Sequence, residues 1–427
     1  MNETEKYLST EFGIHPEVLE TVAQAEKDVA PVFARLDDIM AFNQYKVLKA
    51  FQKCRISDVH FNWTTGYGYN DGGREALERV FAEIFRAEKA LVRPIIVNGT
   101  HAISLALAGV LRPGDEMIYC TGKPYDTLEE TIGLRGEGKG TLKDFGISYR
   151  QVELTPEGGI DLPALEKAMG PRTRMVCLQR ATGYGWRKAI SIQEIAAWTA
   201  FVKARRPDVI CMADNCYGEF LDLREPLEAG VDLMAGSLIK NPGGGLALTG
   251  GYIAGREDLV DLVSYRLTTP GIGGECGLTF GQTRNMFQGL FLAPRTVNAA
   301  VKGAVLCARV FERLGFPVSP GPEEPRNDIV ESVELGSPEA LTAFCQGVQA
   351  AAPIDSYVTP VPGDMPGYED PVVMAAGAFV QGSTLELSAD GPLRPPYIVY
   401  FQGGLTYEHS KFGVIKAAQA LKDKGLL

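Results

Sequence analysis

The sequence contains little histidine and no closely spaced pair of cysteines. Only four of its 427 residues are histidine, and they are scattered along the chain. Its eight cysteines include no Cys-x-x-Cys, and several lie inside apolar runs, as reduced cysteines of a protein core do. A His/Cys metal site therefore has little support, and we predict that the chain binds no metal.

Long apolar runs and an excess of positive charge are also absent. No uninterrupted apolar run approaches the ~18 residues that a membrane-spanning helix needs, and the polar, acidic start is unlike a secretory signal. The formal net charge is −11, with both signs mixed along the chain and no basic stripe. We therefore expect a cytoplasmic protein that binds neither nucleic acid nor an anionic membrane.

The middle of the chain, from about residue 74 to 267, alternates between two patterns. Segments such as 174–179 and 209–213 have the length and composition of buried strands. Segment 191–205 has the spacing of a helix and begins with a Ser-x-x-Glu capping box. Strands separated by helices of ~10–15 residues predict an α/β fold with a mostly parallel central sheet and helices on both faces.

The two ends of the chain have other patterns. The start is helical and leads into a loop rich in glycine and aromatic residues, whereas the last part mixes short strands with helices. We predict an N-terminal arm and loop (1–72), a large α/β domain (73–295) and a smaller C-terminal α+β domain (296–427).

One lysine, Lys240, ends an apolar run and is followed at once by the glycine-rich turn 241–245. Beside so much apolar sequence it should lie at a strand end or in a partly dry pocket, where desolvation lowers the pKa of its amine. A neutral amine there can attack a carbonyl carbon and hold it as a Schiff base. An isolated lysine before a glycine turn is also often a surface residue, so its interpretation depends on the other strand ends.

Polar residues follow the neighbouring strands at the edge where open parallel sheets bind ligands. Gly99 and Thr100 stand between a strand and a helix, where free N–H groups and the helix dipole favour a phosphate. Asp214 ends a strand and, once buried, needs a cationic or donor partner. Each of these is also typical of an ordinary turn or cap. Together with Lys240 on the next strand and Ser237 shortly before it, they describe a pyridoxal phosphate site.

The chain resembles the fold-type-I pyridoxal-phosphate enzymes of cysteine and methionine metabolism. Within them it is most similar to the group called methionine gamma-lyase-related or aluminium-resistance proteins. The matching segments extend nearly from end to end: GYGY at 66–69, VNGTHAI at 97–103, DNCYGE at 214–219, SLIKNPGGG at 237–245 and YFQGGLTY at 400–407. The resemblance implies a carbon–sulfur lyase that binds pyridoxal 5′-phosphate and cleaves a methionine-, cystathionine- or cysteine-type substrate by β- or γ-elimination. It also implies a homodimer or homotetramer with shared active sites.

The resemblance further implies a role for each matching residue. Lys240 would bind the cofactor as an internal aldimine and, once released, move the substrate Cα proton. Asp214 would pair with the pyridine nitrogen, and Tyr125 would stack on the ring and could protonate a leaving group. Further contacts to the cofactor are implied for Gly99, Thr100, His101, Arg180 and Ser237, with Tyr67 and Tyr69 reaching the phosphate of a neighbouring subunit.

The substrate-binding residues are less closely matched. Arg394 is the best candidate to bind the substrate α-carboxylate through two parallel hydrogen bonds, and Arg180 is the alternative. The better-studied cystathionine enzymes have Ser-x-Thr-Lys, where this chain has Ile239, and an arginine where it has Tyr69. These departures leave the identity of the substrate open.

Other functions fit parts of the same pattern. Ser237-x-x-Lys240 is also the acylation motif of penicillin-binding enzymes, but the Ser-Asp-Asn and Lys-Thr-Gly that those enzymes need do not occur. Among pyridoxal-phosphate proteins, the alternatives are an aminotransferase, an aldolase-type enzyme, or a stress protein that binds the cofactor without turnover.

Overall fold

The computed structural model describes residues 2–365 and 370–427, which divide into two units. The central unit contains residues 42–183 and 189–294, and the terminal unit contains the described residues of 1–41, 184–188 and 295–427. The α-helices of the described residues are, in chain order, α1 (Glu3–Phe12), α2 (Pro16–Asp28), α3 (Ala30–Lys53), α4 (Gly72–Phe85), α5 (Gly99–Val110), α6 (Asp126–Ile132), α7 (Leu162–Ala168), α8 (Ile192–Arg205), α9 (Glu257–Leu267), α10 (Thr283–Arg313), α11 (Pro338–Ala350) and α12 (Tyr407–Asp423).

The strands form two separate sheets, one in each unit. Those of the central unit are β1 (Lys89–Arg93), β2 (Glu116–Tyr119), β3 (Ser148–Gln151), β4 (Thr173–Gln179), β5 (Ile210–Asp214), β6 (Leu233–Ser237) and β7 (Gly251–Gly255). Those of the terminal unit are β8 (Val318–Ser319), β9 (Val330–Glu334), β10 (Val372–Ala375), β11 (Ser388–Pro392) and β12 (Ile398–Gln402).

The central sheet has the strand order β1-β7-β6-β5-β4-β2-β3. Strand β7 is antiparallel to both of its neighbours, whereas β2, β3, β4, β5 and β6 pair in parallel. Every residue of β5 and β6 is buried, so both faces of the sheet are covered there. The predicted mostly parallel sheet is confirmed. Its parallel strands place their carboxyl ends, including Asp214 and Ser237, at one edge.

Local sequence explains where the elements next to this edge begin and end. The apolar run from Leu91 to Val97 predicts a strand, but β1 stops at Arg93, because Pro94 has no N–H to donate to a ladder. Asn98 then caps α5, its side chain accepting a hydrogen bond from the backbone N–H of His101. Helix α8 begins with the predicted capping box, which is confirmed.

The terminal unit is built on a five-stranded antiparallel sheet in the order β10-β11-β12-β9-β8. Helices α11 and α12 pack on each other, and α11 also packs on β10, β11 and β12. Its core contains the ring cluster of Phe311, Phe344 and Phe401. This is the predicted smaller α+β part. The predicted boundaries at residues 72 and 295 stay predictions, because they concern parts that would fold independently.

Helix α10 is longer than the sequence pattern indicates. The apolar spacing from Val297 to Leu314 predicts a helix, but α10 begins at Thr283 and continues through Pro294. It is the one helix among residues 2–365 and 370–427 that is long and apolar enough to cross a membrane by length and composition. Its most apolar window is 67% buried inside the protein, as expected for a core helix.

Candidate active site

Lys240 lies just beyond the end of β6, at the start of a tight glycine turn. A single 3₁₀ turn, Asn241–Gly243, follows it directly. A Cβ at Gly243 would overlap the carbonyl oxygen of Leu238, and Gly244 has a left-handed φ of +56°. Both positions therefore require glycine. The turn fixes the direction in which the chain leaves β6, and with it the position of Lys240.

The amine of Lys240 is held by an aromatic ring and acidic neighbours. Its Nζ lies 4.1 Å from the centroid of the Tyr217 ring. Burial alone would lower the pKa of Lys240, but Tyr217, Cys216 and Asp214 outweigh it and raise the pKa above its ordinary value. The predicted lowering is therefore wrong for this structure, because these three neighbours favour the ammonium form. The surroundings of Lys240 thus favour its ammonium form.

Asp214 is a nearly buried carboxylate at the carboxyl end of β5. Only 6% of the residue is exposed, and its Oδ1 accepts a hydrogen bond of 3.1 Å from the backbone N–H of Cys216. Burial raises the pKa of Asp214, while hydrogen bonds from Cys216 and the charge of Lys240 act in the opposite direction. Because β5 and β6 are adjacent and parallel, Asp214 and Lys240 follow the same edge of the sheet. A cationic N–H at this place would stabilise the buried carboxylate.

The N-terminus of α5 meets the end of β6. A Cβ added at Gly99 would lie 3.3 Å from both Ser237 Cβ and Cys216 Sγ, so the backbone approaches these residues closely. Ser237 is fully buried, and its Oγ accepts a hydrogen bond from the Ile239 N–H at 3.3 Å. The helix dipole and the leading N–H groups of α5, at Gly99 and Thr100, make this place suited to a phosphate.

The His101 side chain is hydrogen-bonded to the loop that precedes its own helix. Its Nδ1 accepts a hydrogen bond of 3.1 Å from the Val97 N–H, and burial lowers its pKa. The imidazole is thus a neutral acceptor that shapes the loop before α5. A direct contact between His101 and a cofactor stays a prediction.

Tyr125 is joined to this region through its helix. It is the N-cap residue of α6, partly buried, and its ring packs against the core of the central unit. In the first turn of α6, Thr127 Oγ1 lies 2.8 Å from Thr100 Oγ1, within hydrogen-bond distance. This contact brings the start of α6 against the start of α5, so Tyr125 lies in the loop next to the phosphate candidate.

Tyr67 and Tyr69 lie on the surface of the central unit. They are 69% and 49% exposed, and their rings stack on each other with centroids 5.4 Å apart. The intervening Gly68 is fixed through its carbonyl oxygen, which accepts a hydrogen bond of 2.5 Å from the buried side chain of Arg74. A rigid loop therefore presents two tyrosines outward, while their predicted contact with a neighbouring subunit stays a prediction.

Arg180 is fully buried and hydrogen-bonded to the protein itself. Its Nη1 donates to Asn215 Oδ1 at 2.9 Å and to the Gly218 carbonyl at 2.6 Å. The structure thus places its guanidinium behind the turn that follows β5. Its predicted contacts with the cofactor or a substrate carboxylate stay predictions.

Arg394 belongs to the terminal unit, in the connection between β11 and β12. Its side chain is 50% exposed and forms an ion pair of 3.1 Å with Asp370. An exposed guanidinium with one carboxylate partner can exchange that partner for another carboxylate at small cost. The predicted role in substrate binding stays a prediction.

The sequence reasoning gave no role to Tyr217, although it belongs to the matching segment 214–219. Its position three residues after the strand-ending Asp214 was the available signal, because side chains at that edge face the ligand region. Behind it, Tyr252 donates a hydrogen bond of 2.6 Å to the buried Glu219, whose pKa burial raises to about 8. A buried polar network thus supports the turn that carries Tyr217.

Known proteins resemble this chain over nearly its whole length. A family model described as methionine gamma-lyase matches residues 18–422. The protein YnbB of Bacillus subtilis is 51% identical over 415 residues, which cover 97% of this chain and 99% of YnbB. The solved structure of a carbon-sulfur lyase involved in aluminum resistance from Clostridium novyi NT is 50% identical, with a TM-score of 0.94, and the match covers 98% of this chain and 99% of that one.

A more distant solved structure shares the fold alone. The pyridoxal-5′-phosphate-dependent protein YhfS of Escherichia coli is 15% identical, with a TM-score of 0.60, and the match covers 91% of this chain and 97% of that chain. Together with the observed sheet order, these likenesses confirm the predicted fold-type-I architecture.

Proposed function

The chain belongs to the methionine gamma-lyase family, and we propose that it is a pyridoxal-5′-phosphate-dependent carbon–sulfur lyase acting on a sulfur amino acid by β- or γ-elimination. The observation that carries this proposal is the convergence of Lys240, Asp214 and the N-terminus of α5 at one edge of the central sheet. The name carried by the Clostridium novyi structure supports the same class of reaction.

The residues at this edge fit the cofactor. Asp214 is a buried carboxylate with a raised pKa, which a protonated pyridine nitrogen would stabilise. The start of α5 approaches Ser237 closely at Gly99, so the helix N–H groups and the serine hydroxyl would both be available to a phosphate there. Lys240 supplies the amine, and Tyr125 supplies an aromatic face from the neighbouring loop.

When bound, pyridoxal phosphate supplies an electron sink for charge that develops at the substrate Cα. Lys240 Nζ would take the proton from Cα and pass it to solvent, since Cα becomes the carbonyl carbon of the keto acid once the sulfur has left. Asp214 keeps the ring nitrogen protonated, and Ser237 with the first turn of α5 holds the phosphate. Tyr125 donates its phenolic proton to the departing sulfur, and Arg394 binds the substrate α-carboxylate.

Turnover of sulfur amino acids tests this proposal. We expect the purified protein, supplied with pyridoxal 5′-phosphate, to release keto acid, ammonia and a thiol from at least one of cystathionine, methionine and cysteine. Lys240→Ala should lose activity by at least ~10²-fold, because no other side chain can replace its proton transfers. Lys139→Ala is the matched control, since that lysine is 86% exposed.

Other outcomes would contradict the proposal. A protein that converts the cofactor to its amine form with an amino acid, without releasing thiol, would be an aminotransferase. A protein that binds the cofactor but turns over none of the three amino acids would match the binding-only alternative.

The assembly is also a proposal. Two exposed, mutually stacked tyrosines on a fixed loop, Tyr67 and Tyr69, are suited to a surface between copies of the chain. We propose a homodimer or homotetramer in which they reach the cofactor phosphate of a neighbouring subunit. Cytoplasmic location and the absence of nucleic-acid and membrane partners remain predictions from the sequence.

A further inference from the structure

The turn after β5 has an unusual backbone. Tyr217 has a φ of +69° and Phe220 a φ of +67°, both in the left-handed region. This region is unfavourable for bulky side chains, because Cβ approaches the carbonyl oxygen too closely. Such residues persist only where the surroundings fix them, and they concentrate at functional sites. The orientation of Tyr217 is therefore imposed by the fold.

The surroundings that impose it are buried and polar. Arg180 donates from one nitrogen to Asn215 Oδ1 and to the Gly218 carbonyl, at 2.9 and 2.6 Å, on either side of Tyr217. The Gly218 N–H also donates to the Asn215 carbonyl at 2.9 Å. A Cβ at Gly218 would collide with the Arg180 guanidinium, so the turn fits closely over it. Arg180 thus holds the turn from inside the protein.

This turn presents the ring of Tyr217 to Lys240. The 4.1 Å between Nζ and the ring centroid is well inside the ~6 Å within which an ammonium is attracted to an aromatic face. The other ionisable groups that act on the pKa of Lys240 are Cys216 and Asp214. Among these groups, only Tyr217 offers a ring, and it occupies a backbone conformation that few residues adopt.

We propose that Tyr217 is a positioning residue for Lys240, and that its ring face holds the lysine ammonium at the end of β6. This inference rests on the proposed function, in which Lys240 is the lysine that binds the cofactor and moves the Cα proton. The ring stabilises Lys240 whenever the amine carries a proton, both before the cofactor binds and after the proton has been taken from Cα. Arg180 contributes through the turn that it supports.

Competitive labelling of cofactor-free, full-length protein with trace acetic anhydride tests this proposal without relying on turnover. Peptide mass spectrometry gives the labelling rate of Lys240 as a function of pH. Tyr217→Asn removes the ring while keeping a residue that tolerates the left-handed backbone. At a fixed neutral pH, we expect this variant to raise the labelling rate of Lys240 by about 2- to 30-fold, because more of the amine is neutral.

Two further variants and one internal reference make the result specific. Tyr217→Leu should behave like Tyr217→Asn, and it replaces that variant if the asparagine protein does not fold. Tyr217→Phe keeps the ring, so its Lys240 should label at a rate closer to wild type than to the ring-less variants. Lys139, read from the same digests, should label equally in all of them.

Two results would overturn the proposal: ring-less variants that label Lys240 at the wild-type rate, or a phenylalanine variant that labels as fast as the ring-less ones. Failure of the proposed lyase function would appear in a separate measurement, the uptake of cofactor. A wild-type protein that takes up no pyridoxal phosphate would refute the proposed lyase, whereas the labelling rates would still report whether Tyr217 holds Lys240.

Discussion

At the residue scale, the candidate site and the turn beside it contain two buried carboxyl groups. Asp214 and Glu219 are both buried in the strand end and turn that follow β5. Glu219 accepts one hydrogen bond from Tyr252, while its Oε2 has no hydrogen-bond partner among the described residues. Such carboxyl groups lower the folding stability when they are ionised. They therefore occur mainly at functional sites, where their charge serves the chemistry.

Glu219 should make folding stability depend on pH. Burial raises its pKa from 4.5 to about 8, so between these values the folded protein keeps a proton that the unfolded chain releases. The folding stability that this bound proton provides is therefore lost progressively as pH rises through this range. We expect Glu219→Gln, which resembles the protonated form, to remove this dependence. Urea unfolding between about pH 5 and 8 measures it as the difference in unfolding free energy between wild type and variant.

The matched control for this experiment is Glu137→Gln, because the Glu137 side chain is 82% exposed. It should follow the wild type at every pH. If the difference between wild type and Glu219→Gln stayed constant across the range, Glu219 would be ionised in the folded protein and the account of its burial would be wrong.

The residue types of the site were predictable from sequence, but their electrostatics were not. Lys240 and Asp214 were identified because each ends an apolar run at a predicted strand end. The direction of the Lys240 pKa was predicted wrongly, because its neighbours Tyr217 and Cys216 meet it only in the folded chain. The left-handed conformation of Tyr217 leaves no mark in a sequence pattern, since that conformation is typical of glycine.

At the element scale, the connections after the strands matter more than the strands themselves. The 3₁₀ turn after Lys240 and the turn after β5 carry the candidate side chains, whereas the strands set only their spacing. Gly243 is the tightest point, since a side chain there would overlap the Leu238 carbonyl oxygen.

Replacing this glycine should disturb both stability and function. We expect Gly243→Ala to lower the free energy of unfolding by about 1–3 kcal/mol, because an extra methyl group must displace the backbone. The same shift should move Lys240 and slow the uptake of pyridoxal phosphate. Denaturant titration and the appearance of the visible absorption band measure the two effects.

Gly170→Ala is the control for this substitution, because a Cβ at Gly170 would meet no atom within 4 Å. It should change the unfolding free energy by no more than about 0.5 kcal/mol. A Gly243→Ala protein as stable as this control, with normal cofactor uptake, would show that the turn is not as restrictive as its geometry indicates.

The elements differ in how well sequence predicted them. The parallel strands were predictable, because apolar runs of strand length mark strands covered on both faces. Helix α10 was not, since Pro294 interrupts a helical pattern that nevertheless continues on both sides of it. Strand β1, by contrast, ends before its apolar run does, because there a proline stops the element. Which of these happens depends on tertiary packing, and sequence alone does not reveal that.

At the scale of the whole molecule, the composition indicates the class of protein, and the fold brings the residues of the candidate site together. The eight cysteines are all unpaired, and six of them are buried, which agrees with the predicted reduced core cysteines. The mostly parallel sheet explains why residues far apart in the chain, such as Gly99 and Ser237, meet at one edge.

The proposed assembly predicts that activity depends on protein concentration. Simultaneous Tyr67→Ala and Tyr69→Ala should weaken cofactor retention on dilution, because the phosphate loses contacts from the neighbouring subunit. Sedimentation gives the assembly state, and absorbance gives bound cofactor in the same run. Tyr357→Ala, at an 85% exposed tyrosine of the terminal unit, is the control. A fully active monomer at high dilution would contradict the shared-site assembly.

The central claim is that Lys240 binds pyridoxal phosphate covalently. Its most direct test is the absorption spectrum of the purified protein before and after borohydride, beside Lys240→Ala and Lys139→Ala. We predict a visible band that borohydride removes in the wild type and in Lys139→Ala, with the reduced cofactor found on the peptide that contains Lys240. Lys240→Ala should lack that band. A colourless wild-type protein that takes up no added cofactor would contradict the account.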